Sequence, residues 1–204
     1  MLFSNSYFTI KEPAQSHYKV KGSKFLGFAF PVLNEKDIKQ HLMEIRKGNP
    51  SANHHCYAYR LGADKLIFRT NDDGEPNNTA GKPIFSQLQN RDLTNCLVIV
   101  VRYFGGTLLG VGGLISAYKE AANLALLNCE IVEQFIYLEY EAIFNYEDLS
   151  KVMRLLKETE SQIISTTYAT ENVIIFKVKK QNTDNLEARL KDLYNVKFNY
   201  LRTV

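Results

Sequence analysis

Glycine is concentrated in one stretch of the chain, VRYFGGTLLGVGGLISAYKEAA, which runs from Val101 to Ala122. Five of the eleven glycines lie there within nine residues, namely Gly105, Gly106, Gly110, Gly112 and Gly113. The first amides of a helix have no partners within the helix and carry partial positive charge, and glycine lets a ligand approach them closely. The stretch therefore permits an anion-binding site. It is also typical of tight turns and close packing, which need no ligand.

Several side chains around the glycines could complete such a site. Arg102 lies just upstream and Lys119 lies within the helical pattern that follows, so either could add positive charge. Tyr103 and Phe104 offer rings on which a nucleic-acid base could stack. Lys24 follows a turn at the start of a predicted strand and could face the same groove, or it could be an ordinary exposed lysine. The stretch matches neither the phosphate loop of nucleoside triphosphatases nor the dinucleotide-binding glycine motif, so we expect no cofactor.

A second candidate for chemistry is the acidic loop NDDGEPNN, which carries Asp72, Asp73 and Glu75. Carboxylates in such a loop could hold a divalent metal ion or act as a general base. The alternative is that aspartate and asparagine cap a turn, with Gly74 in a left-handed conformation. The spacing of a calcium-binding EF-hand loop is absent, which favours the turn.

The run HHC raises the question of a nucleophile, because a histidine can activate a cysteine within hydrogen-bond reach. On a strand, His55 and Cys56 point to opposite faces, and His54 lies about 7 Å from Cys56 along one face. His54 and His55 are a poor metal pair because they too point to opposite faces. His17 and His41 have no evident partner in the sequence. We therefore predict no catalytic residue.

Composition restricts the class of protein. The 204 residues are 45% hydrophobic and 23% charged, with a net charge of +3 that is too small to indicate nucleic acid by itself. The three cysteines lack the spacing of a disulfide framework or a zinc site, which favours a reducing compartment. The start of the chain has no signal-peptide pattern, and the longest apolar run, LVIVV, is too short to cross a bilayer. We expect a cytoplasmic protein with no membrane partner.

Residues 1–132 carry the patterns of one domain that mixes helices and strands. Alternating aromatic residues around Gly22-Ser23 predict a β-hairpin, and Asn34 can cap a helix that runs to about Lys47. The apolar run from Cys96 to Val101 predicts a strand that is covered on both faces. The segment from Leu114 to Asn128 is predicted as a helix, whose alanines four residues apart allow close packing on a sheet.

Residues 133–204 carry the patterns of a second domain. The run FIYLEY predicts a strand, Tyr146–Glu158 a helix, the next two apolar runs a hairpin, Asp184–Tyr194 a helix, and VKFNYL a last strand. This β-α-β-β-α-β order is the split βαβ, ferredoxin-like arrangement. The fold class is therefore predicted as α+β with two domains, divided on pattern alone because no linker is evident.

The glycine stretch resembles the signature of the IMPACT family, whose bacterial members are of the YigZ type. The likeness covers about residues 15–130 and includes, in the same order, the motifs GSKFLGFAFPV, ANHHCYAYRL and DDGEPNNTAGKPIF. The resemblance implies an α/β sandwich like the second domain of ribosomal protein S5, followed by a ferredoxin-like domain similar to the last domain of elongation factor G. Members usually carry Ser-Gly where this chain has Asn77-Asn78, and asparagine tolerates a left-handed backbone.

The resemblance also implies a link to translation. Eukaryotic relatives act in translational control, where they bind the activator of a kinase that phosphorylates an initiation factor, and they use additional domains to do so. Our leading hypothesis is a non-enzymatic regulator that binds RNA or ribosomal components through a groove around Arg102 to Gly113. One alternative is a metal-assisted hydrolase or transferase acting on a phosphorylated or peptide-like small molecule. Another is a protein-interaction module whose glycines serve only the fold.

Overall fold

Residues 4–204 are described by a computed structural model, and they divide into two compact units. The first unit holds Tyr7–Gln134, and the second holds Phe135–Val204 together with residues 4–6. Both units combine helices with strands, which confirms the predicted mixture, and the described residues contain five α-helices. None of these five helices is long and apolar enough to span a membrane.

The first unit is built around one five-stranded antiparallel sheet. Its elements in chain order are β1 (Ser6–Ile10), β2 (Ala14–Val20), β3 (Ser23–Pro31), α1 (Glu35–Gly48), β4 (His54–Leu61), β5 (Ile67–Asn71), α2 (Gly81–Asn90), β6 (Cys96–Tyr103), α3 (Gly110–Leu127) and β7 (Ile131–Phe135). The sheet has the strand order β2-β3-β6-β4-β5, whereas β1 and β7 pair with each other in a separate two-stranded sheet. Helix α1 packs on one face of the large sheet, and α2 and α3 pack on the other.

The central strand β6 is buried on both faces, as its continuous apolar sequence predicts. Alternate side chains of a strand point to opposite faces of the sheet. One set therefore packs towards α1 and the other towards α2 and α3, and each of these side chains is fully buried: Leu97, Ile99 and Val101 in the first set, and Val98 and Val100 in the second. The end of β6 thus carries its last two side chains to opposite faces of the sheet.

Helix α3 packs closely against the sheet through its small residues. Ala117, Ala121 and Ala125 are buried, as their spacing predicts. A Cβ added to Gly27 of β3 would lie 2.5 Å from the carbonyl oxygen of Ala121, so only a glycine leaves room for the helix there. The hydroxyl of Ser16 donates a hydrogen bond to that same oxygen at 2.8 Å, which fixes the position of α3 on the sheet.

The second unit is a four-stranded antiparallel sheet with two helices on one face. Its elements are β8 (Tyr137–Phe144), a 3-10 turn (Tyr146–Asp148), α4 (Leu149–Glu158), β9 (Gln162–Tyr168), β10 (Asn172–Lys179), a 3-10 turn (Lys180–Asn182), α5 (Thr183–Lys191) and β11 (Lys197–Thr203). The strand order across the sheet is β11-β8-β10-β9. The core lies between the sheet and the helices, with Tyr140 and Phe176 stacked at its centre. The helices and strands therefore follow one another in the predicted order.

Candidate functional site

The glycine-rich loop connects the end of β6 to the start of α3, and the fold favours glycine at three of its positions, 105, 106 and 110. A Cβ added to Gly105 would lie 1.9 Å from the carbonyl carbon of Gly22, so the loop touches the β2–β3 turn through bare backbone. The amide of Gly105 also donates to the hydroxyl of Ser23 at 3.2 Å. Gly110 has a φ of 71°, a left-handed conformation that favours glycine. Close packing therefore explains part of the glycine content.

The structure begins α3 at Gly110, whereas the sequence analysis places its start at Leu114. The prediction was wrong here because glycine has low helix propensity, and contacts of the later residues with the sheet override it. Gly112 and Gly113 consequently lie inside the first turn. The positions of Gly110 and Gly112 are exposed, and no side chain in the described part of the chain caps this helix start. Leu109, the N-cap residue, supplies no side-chain acceptor to the first amides of this 18-residue helix, and such amides have no partner within a helix.

Gly112 has no structural reason to be glycine. Its φ is not positive, and a Cβ added there would meet nothing within 4 Å. Glycine inside a helix costs about 0.5–1 kcal/mol relative to alanine. A residue that weakens the helix without helping the packing leaves the first-turn backbone bare, which is what close approach of a ligand to its amides would need.

Arg102, which could add positive charge near the glycines, lies beneath the loop rather than on the surface. It is 6% exposed because its position in β6 points it towards α3. One terminal nitrogen donates to the Glu75 carboxylate at 2.6 Å, and the guanidinium lies 5.6 Å from the ring centres of both Phe25 and Phe104. Its Nε is buried and has no hydrogen-bond partner among the described residues. A ligand on the surface would therefore meet Phe104 before it meets Arg102.

Lys24 and Tyr103 lie side by side on the opposite face of the sheet. They are paired across β3 and β6, and the lysine Nζ lies 5.7 Å from the centre of the tyrosine ring. The tyrosine hydroxyl donates to the side chain of Asn49, at the end of α1, at 2.9 Å. The residues predicted to contact a ligand thus lie on two faces of the sheet, near one end of β6. Lys24 and Tyr103 lie on the face covered by α1, and the start of α3 lies on the other face. We call residues 104–113 together with Lys24 the glycine face.

A row of exposed apolar side chains, on the glycine face and in the next turn of α3, was not identified in the sequence analysis. Leu108 is 83% exposed, Val111 60%, Ile115 37% and Phe104 47%. Val111 and Ile115, four residues apart, lie on the side of α3 that is turned away from the alanine ridge, and Leu108 lies on the loop just before the helix. The row could have been predicted from this spacing. A short apolar repeat in a sequence is, however, more often part of a hydrophobic core.

The acidic loop is tied into the fold by its carboxylates. The side chain of Asp72 accepts hydrogen bonds from the amides of Ala80 and Gly81, at 2.9 and 2.8 Å, and so caps the start of α2. The carboxylate of Asp73 forms an ion pair with Arg46 at 3.0 Å. Gly74 has a φ of 89° and thus takes the left-handed conformation predicted for it. Within residues 4–204, no three histidine, cysteine or acidic side chains are grouped in a way that could hold a metal ion.

Glu75 is the buried acid of this loop. It accepts hydrogen bonds from Arg102 and from the hydroxyl of Tyr118 in α3, the latter at 2.7 Å. The ring of His54 lies 3.8 Å from the same carboxylate oxygen. Burial is the main cause that raises the pKa of the Tyr118 hydroxyl far above its ordinary value. Glu75 therefore connects the acidic loop, β6 and α3 beneath the glycine face.

Cys56 and the turn at Asn78 agree with the sequence analysis. Burial raises the pKa of the Cys56 thiol far above its ordinary value, which favours the protonated thiol at neutral pH. Its sulfur donates to the carbonyl oxygen of Asp72 at 3.0 Å. Asn78 has a φ of 65°, so asparagine does adopt the left-handed turn where glycine is usual.

A groove of about 670 Å³ lies elsewhere in the first unit. It is lined by residues of β1, β7 and the connection from β3 to α1, and it contains none of the candidate site residues. Asn95, on its wall, precedes β6, whereas the glycine-rich loop follows β6. The groove and the glycine face are therefore at opposite ends of the central strand.

Comparison with known proteins identifies relatives along most of the chain. The family model described as the Impact N-terminal domain matches residues 21–126, which is more than half of the chain. The IMPACT family member YvyE of Bacillus subtilis is 31% identical over 193 residues, which cover 95% of this chain and 89% of YvyE. The IMPACT family member YigZ of Escherichia coli is 31% identical over 176 residues, which cover 85% of this chain and 86% of YigZ.

The fold is shared with a solved structure as well. A crystal structure described as that of a hypothetical protein matches with a TM-score of 0.77 and 28% sequence identity. The match covers 98% of this chain and 99% of that one. The chain therefore belongs to the IMPACT family, and it is similar over most of its length to the bacterial members YigZ and YvyE.

Proposed function

We propose that this chain is a non-enzymatic cytoplasmic regulator in translation, which binds RNA or a ribosomal component through the glycine face. Membership of a family whose eukaryotic members act in translational control supports the link to translation. The proposal also assigns the first unit to the ribosomal protein S5 domain 2-like class and the second unit to the ferredoxin-like class. The strand order β11-β8-β10-β9 and the β-α-β-β-α-β sequence of elements support the second assignment.

The observation that carries the proposal is the exposure of donors that the fold itself does not use. The first turn of α3 presents bare amides, and Lys24 presents a charge on the other side of the sheet. Phe104, on the loop between them, offers an exposed ring for stacking. Because these groups are spread across the end of the sheet and do not converge in one pocket, an extended polyanion such as single-stranded RNA suits them better than a small phosphate ester.

The buried Nε of Arg102 gives independent support. A buried donor without a partner costs about 1–3 kcal/mol. The guanidinium centre lies 5.6 Å from the centre of the Phe104 ring, so a base that stacks on this ring and shifts it would bring a phosphate oxygen within reach of a cation. Binding would give the Arg102 Nε a hydrogen-bond partner, at the expense of the contact between the guanidinium and the Phe104 ring.

The test is a fluorescence anisotropy titration of the full chain with a labelled single-stranded RNA of mixed sequence, repeated over a range of salt concentrations. Affinity is expected to fall with salt, with a log–log slope of about 0.7 for each phosphate contact. Lys24→Ala should weaken binding and reduce that slope by about 0.7. Binding that ignores both salt and Lys24→Ala would overturn the proposal.

Lys36→Ala is the matched control for this titration. It removes the same charge from an exposed lysine in the first turn of α1. The last turn of α1 is the one beside Tyr103, and a helix of 14 residues spans about 20 Å, so Lys36 lies far from the glycine face. The RNA affinity of Lys36→Ala, and the slope of that affinity with salt, should equal those of the wild type.

The exposed apolar row favours a second candidate, a protein-interaction module. Aliphatic side chains such as Leu108 and Val111 add little to the binding of a phosphate backbone but are typical of surfaces that dock another protein. Under this candidate, Leu108→Ser and Val111→Ser would abolish capture of the partner, whereas Lys24→Ala would weaken it only slightly. Under the leading proposal, the serine variants would change RNA affinity less than Lys24→Ala does.

A further inference from the structure

Three consecutive large apolar residues are exposed at one edge of the five-stranded sheet. Leu66 is 75% exposed, Ile67 54% and Phe68 58%. Ile67 and Phe68 begin β5, the last strand in the sheet order, and Leu66 directly precedes them. Single exposed apolar side chains are normal, but a contiguous group of them is typical of a surface that binds another molecule. We call residues 66–70 the β5 edge.

The outer side of β5 is free to pair with a further strand. β5 pairs with β4 from Ile67 to Asn71 in one antiparallel register without a bulge, and no strand among the described residues lies on its other side. Such an edge exposes unpaired amides and carbonyls. Extended peptides bind proteins by adding a strand to an exposed edge, where the main chain gives affinity and alternate side chains give specificity.

The Phe68 ring offers an apolar contact for a side chain of an added strand. The ring stacks on that of Phe85 in α2, with the ring centres 4.9 Å apart and the planes at 20°. Phe85 is buried, whereas more than half of the Phe68 side chain remains exposed. Because neighbouring side chains on paired strands contact each other, an apolar residue of an added strand would cover Phe68.

The charges carried by the elements at this edge are positive. β5 and α2 contain Arg69 and Lys82 and no acidic residue. Both residues are exposed, and neither forms an ion pair with another residue in the described part of the chain. Tyr59 is the neighbour of Arg69 on β4, and Glu35 of α1 lies near its hydroxyl without forming an ion pair with the arginine.

The acidic residues at the start of the edge and at the end of α2 already have partners in the fold. Asp64 accepts a hydrogen bond from the amide of Leu66 at 3.2 Å. Asp92 forms an ion pair with Lys65. The charge that the β5 edge can offer to a partner is therefore positive.

We propose that the β5 edge is a docking site for an extended segment of another protein, in which acidic and apolar residues alternate. The segment would add a sixth strand to the sheet. Since neighbouring residues of a strand point to opposite faces, an acidic side chain would lie opposite Arg69 on one face and an apolar one beside Phe68 on the other. Aliphatic residues such as Leu66 and Ile67 favour a protein partner over a phosphate backbone.

Arg69 also argues against a second copy of this chain as the partner. It is the middle residue of β5, so antiparallel pairing of two β5 strands over their full length would place two arginines opposite each other. Like charges directly opposite each other on paired strands are destabilising. The same charge would attract an acidic segment, and it therefore selects between the two partners.

This inference does not rest on the proposed function. The glycine face lies at the end of β6, and β4 separates β6 from β5 in the sheet. Substitutions at the β5 edge should therefore leave affinity for single-stranded RNA unchanged.

The experiment selects ligands for the full chain from a random peptide library displayed on phage, with peptides of about 10 residues, which is long enough for one strand. The selected peptides should alternate acidic and apolar residues. Fluorescence anisotropy then measures the affinity of each labelled peptide. Arg69→Glu should weaken binding at least about tenfold, because acid would face acid. Leu66→Ser tests the apolar part of the edge without changing charge, and it should weaken binding less.

Lys19→Glu is the matched control. It makes the same change of charge at an exposed residue of β2, the opposite edge strand of the same sheet, and should leave peptide affinity unchanged. A peptide with lysines in place of its acidic residues should prefer Arg69→Glu to the wild type, which shows that the variant is folded and that charge decides the preference.

Four outcomes would overturn the inference. The library could yield no peptide whose binding depends on Arg69, or the selected peptides could lose affinity in Lys19→Glu. Displacement of the peptides by single-stranded RNA, together with weaker RNA binding by Arg69→Glu, would make this edge a nucleic-acid surface. A wild-type dimer that the selected peptides dissociate would assign the edge to a second copy of the chain.

Discussion

The acidic loop and the glycine-rich loop lie close together in the first unit, yet they use their polar groups in opposite ways. In the acidic loop, the carboxylates of Asp72, Asp73 and Glu75 accept hydrogen bonds or ion pairs from the chain itself. In the glycine-rich segment, Gly110 and Gly112 at the start of α3 are exposed residues, no side chain from the described part of the chain caps the helix, and Gly112 serves no packing need. The fold therefore uses the carboxylates of the acidic loop, whereas it leaves the first turn of α3 without a capping side chain.

This comparison implies that substitutions in the two loops separate stability from binding. The acids should matter mainly to the free energy of unfolding, because the fold consumes their hydrogen-bonding capacity. The exposed glycines should matter mainly to ligand binding. The following predictions test that separation.

The largest effect is expected for Glu75→Gln. The substitution removes the charge that compensates Arg102 in a buried position, and breaking a buried ion pair from one side costs about 3–5 kcal/mol. Urea unfolding followed by circular dichroism measures the change. Glu130→Gln is the control, because its ion pair with Lys11 is exposed and should be worth at most about 1 kcal/mol. Equal effects of the two substitutions would contradict a structural role for the acidic loop.

The next largest effect is expected for Gly105→Ala, which sharpens the comparison within the glycine-rich segment itself. The new methyl group would collide with the backbone of Gly22 and Ser23, and such overpacking typically costs about 1–3 kcal/mol. Gly106→Ala meets no atom within 4 Å but keeps a φ of 83°, so its cost should come from backbone strain alone. If Gly105→Ala proved the milder of the two in thermal unfolding, the close contact between the loop and the β2–β3 turn would be wrong.

A smaller loss is expected for Asp72→Ala. The substitution removes the side chain that caps α2, and loss of a helix cap costs about 0.5–2 kcal/mol. Asp72→Asn keeps one acceptor oxygen and should retain most of the stability. Calorimetric titration with magnesium or calcium checks the opposite interpretation, since heat of binding that Asp72→Asn abolishes would restore the metal-site hypothesis.

Many of the helices, strands and turns around these loops could be predicted from the sequence, because they follow from local patterns of residue type and spacing. The apolar run of β6, the alanine ridge of α3 and the left-handed turn at Gly74 each follow from residue type and spacing. The pairing of β1 with β7 could not be predicted, because these short strands lie more than a hundred residues apart and neither shows a clear alternation.

The candidate site was less predictable, since its geometry depends on contacts between distant residues. Nothing local indicates that Arg102 is buried, as this follows from its pairing with Glu75, 27 residues earlier. Similarly, the start of α3 at Gly110 contradicts helix propensity and follows only from packing of the later turns on the sheet. The segment could thus be identified from the sequence, whereas the burial of Arg102 could not.

The smallest expected change in stability belongs to Gly112→Ala, and this variant separates stability from binding most cleanly. Alanine in this helix turn should raise the free energy of unfolding by about 0.5–1 kcal/mol, because nothing lies within 4 Å of the new methyl group. The same methyl group stands beside the exposed amides, so affinity for single-stranded RNA should fall even as the protein becomes more stable. Gly48→Ala is a control for stability alone: Gly48 also lies in a helix, has open space around it and lacks a positive φ, but it adjoins Asn49, which bonds Tyr103. RNA affinity unchanged in Gly112→Ala would mean that the first turn of α3 serves no ligand.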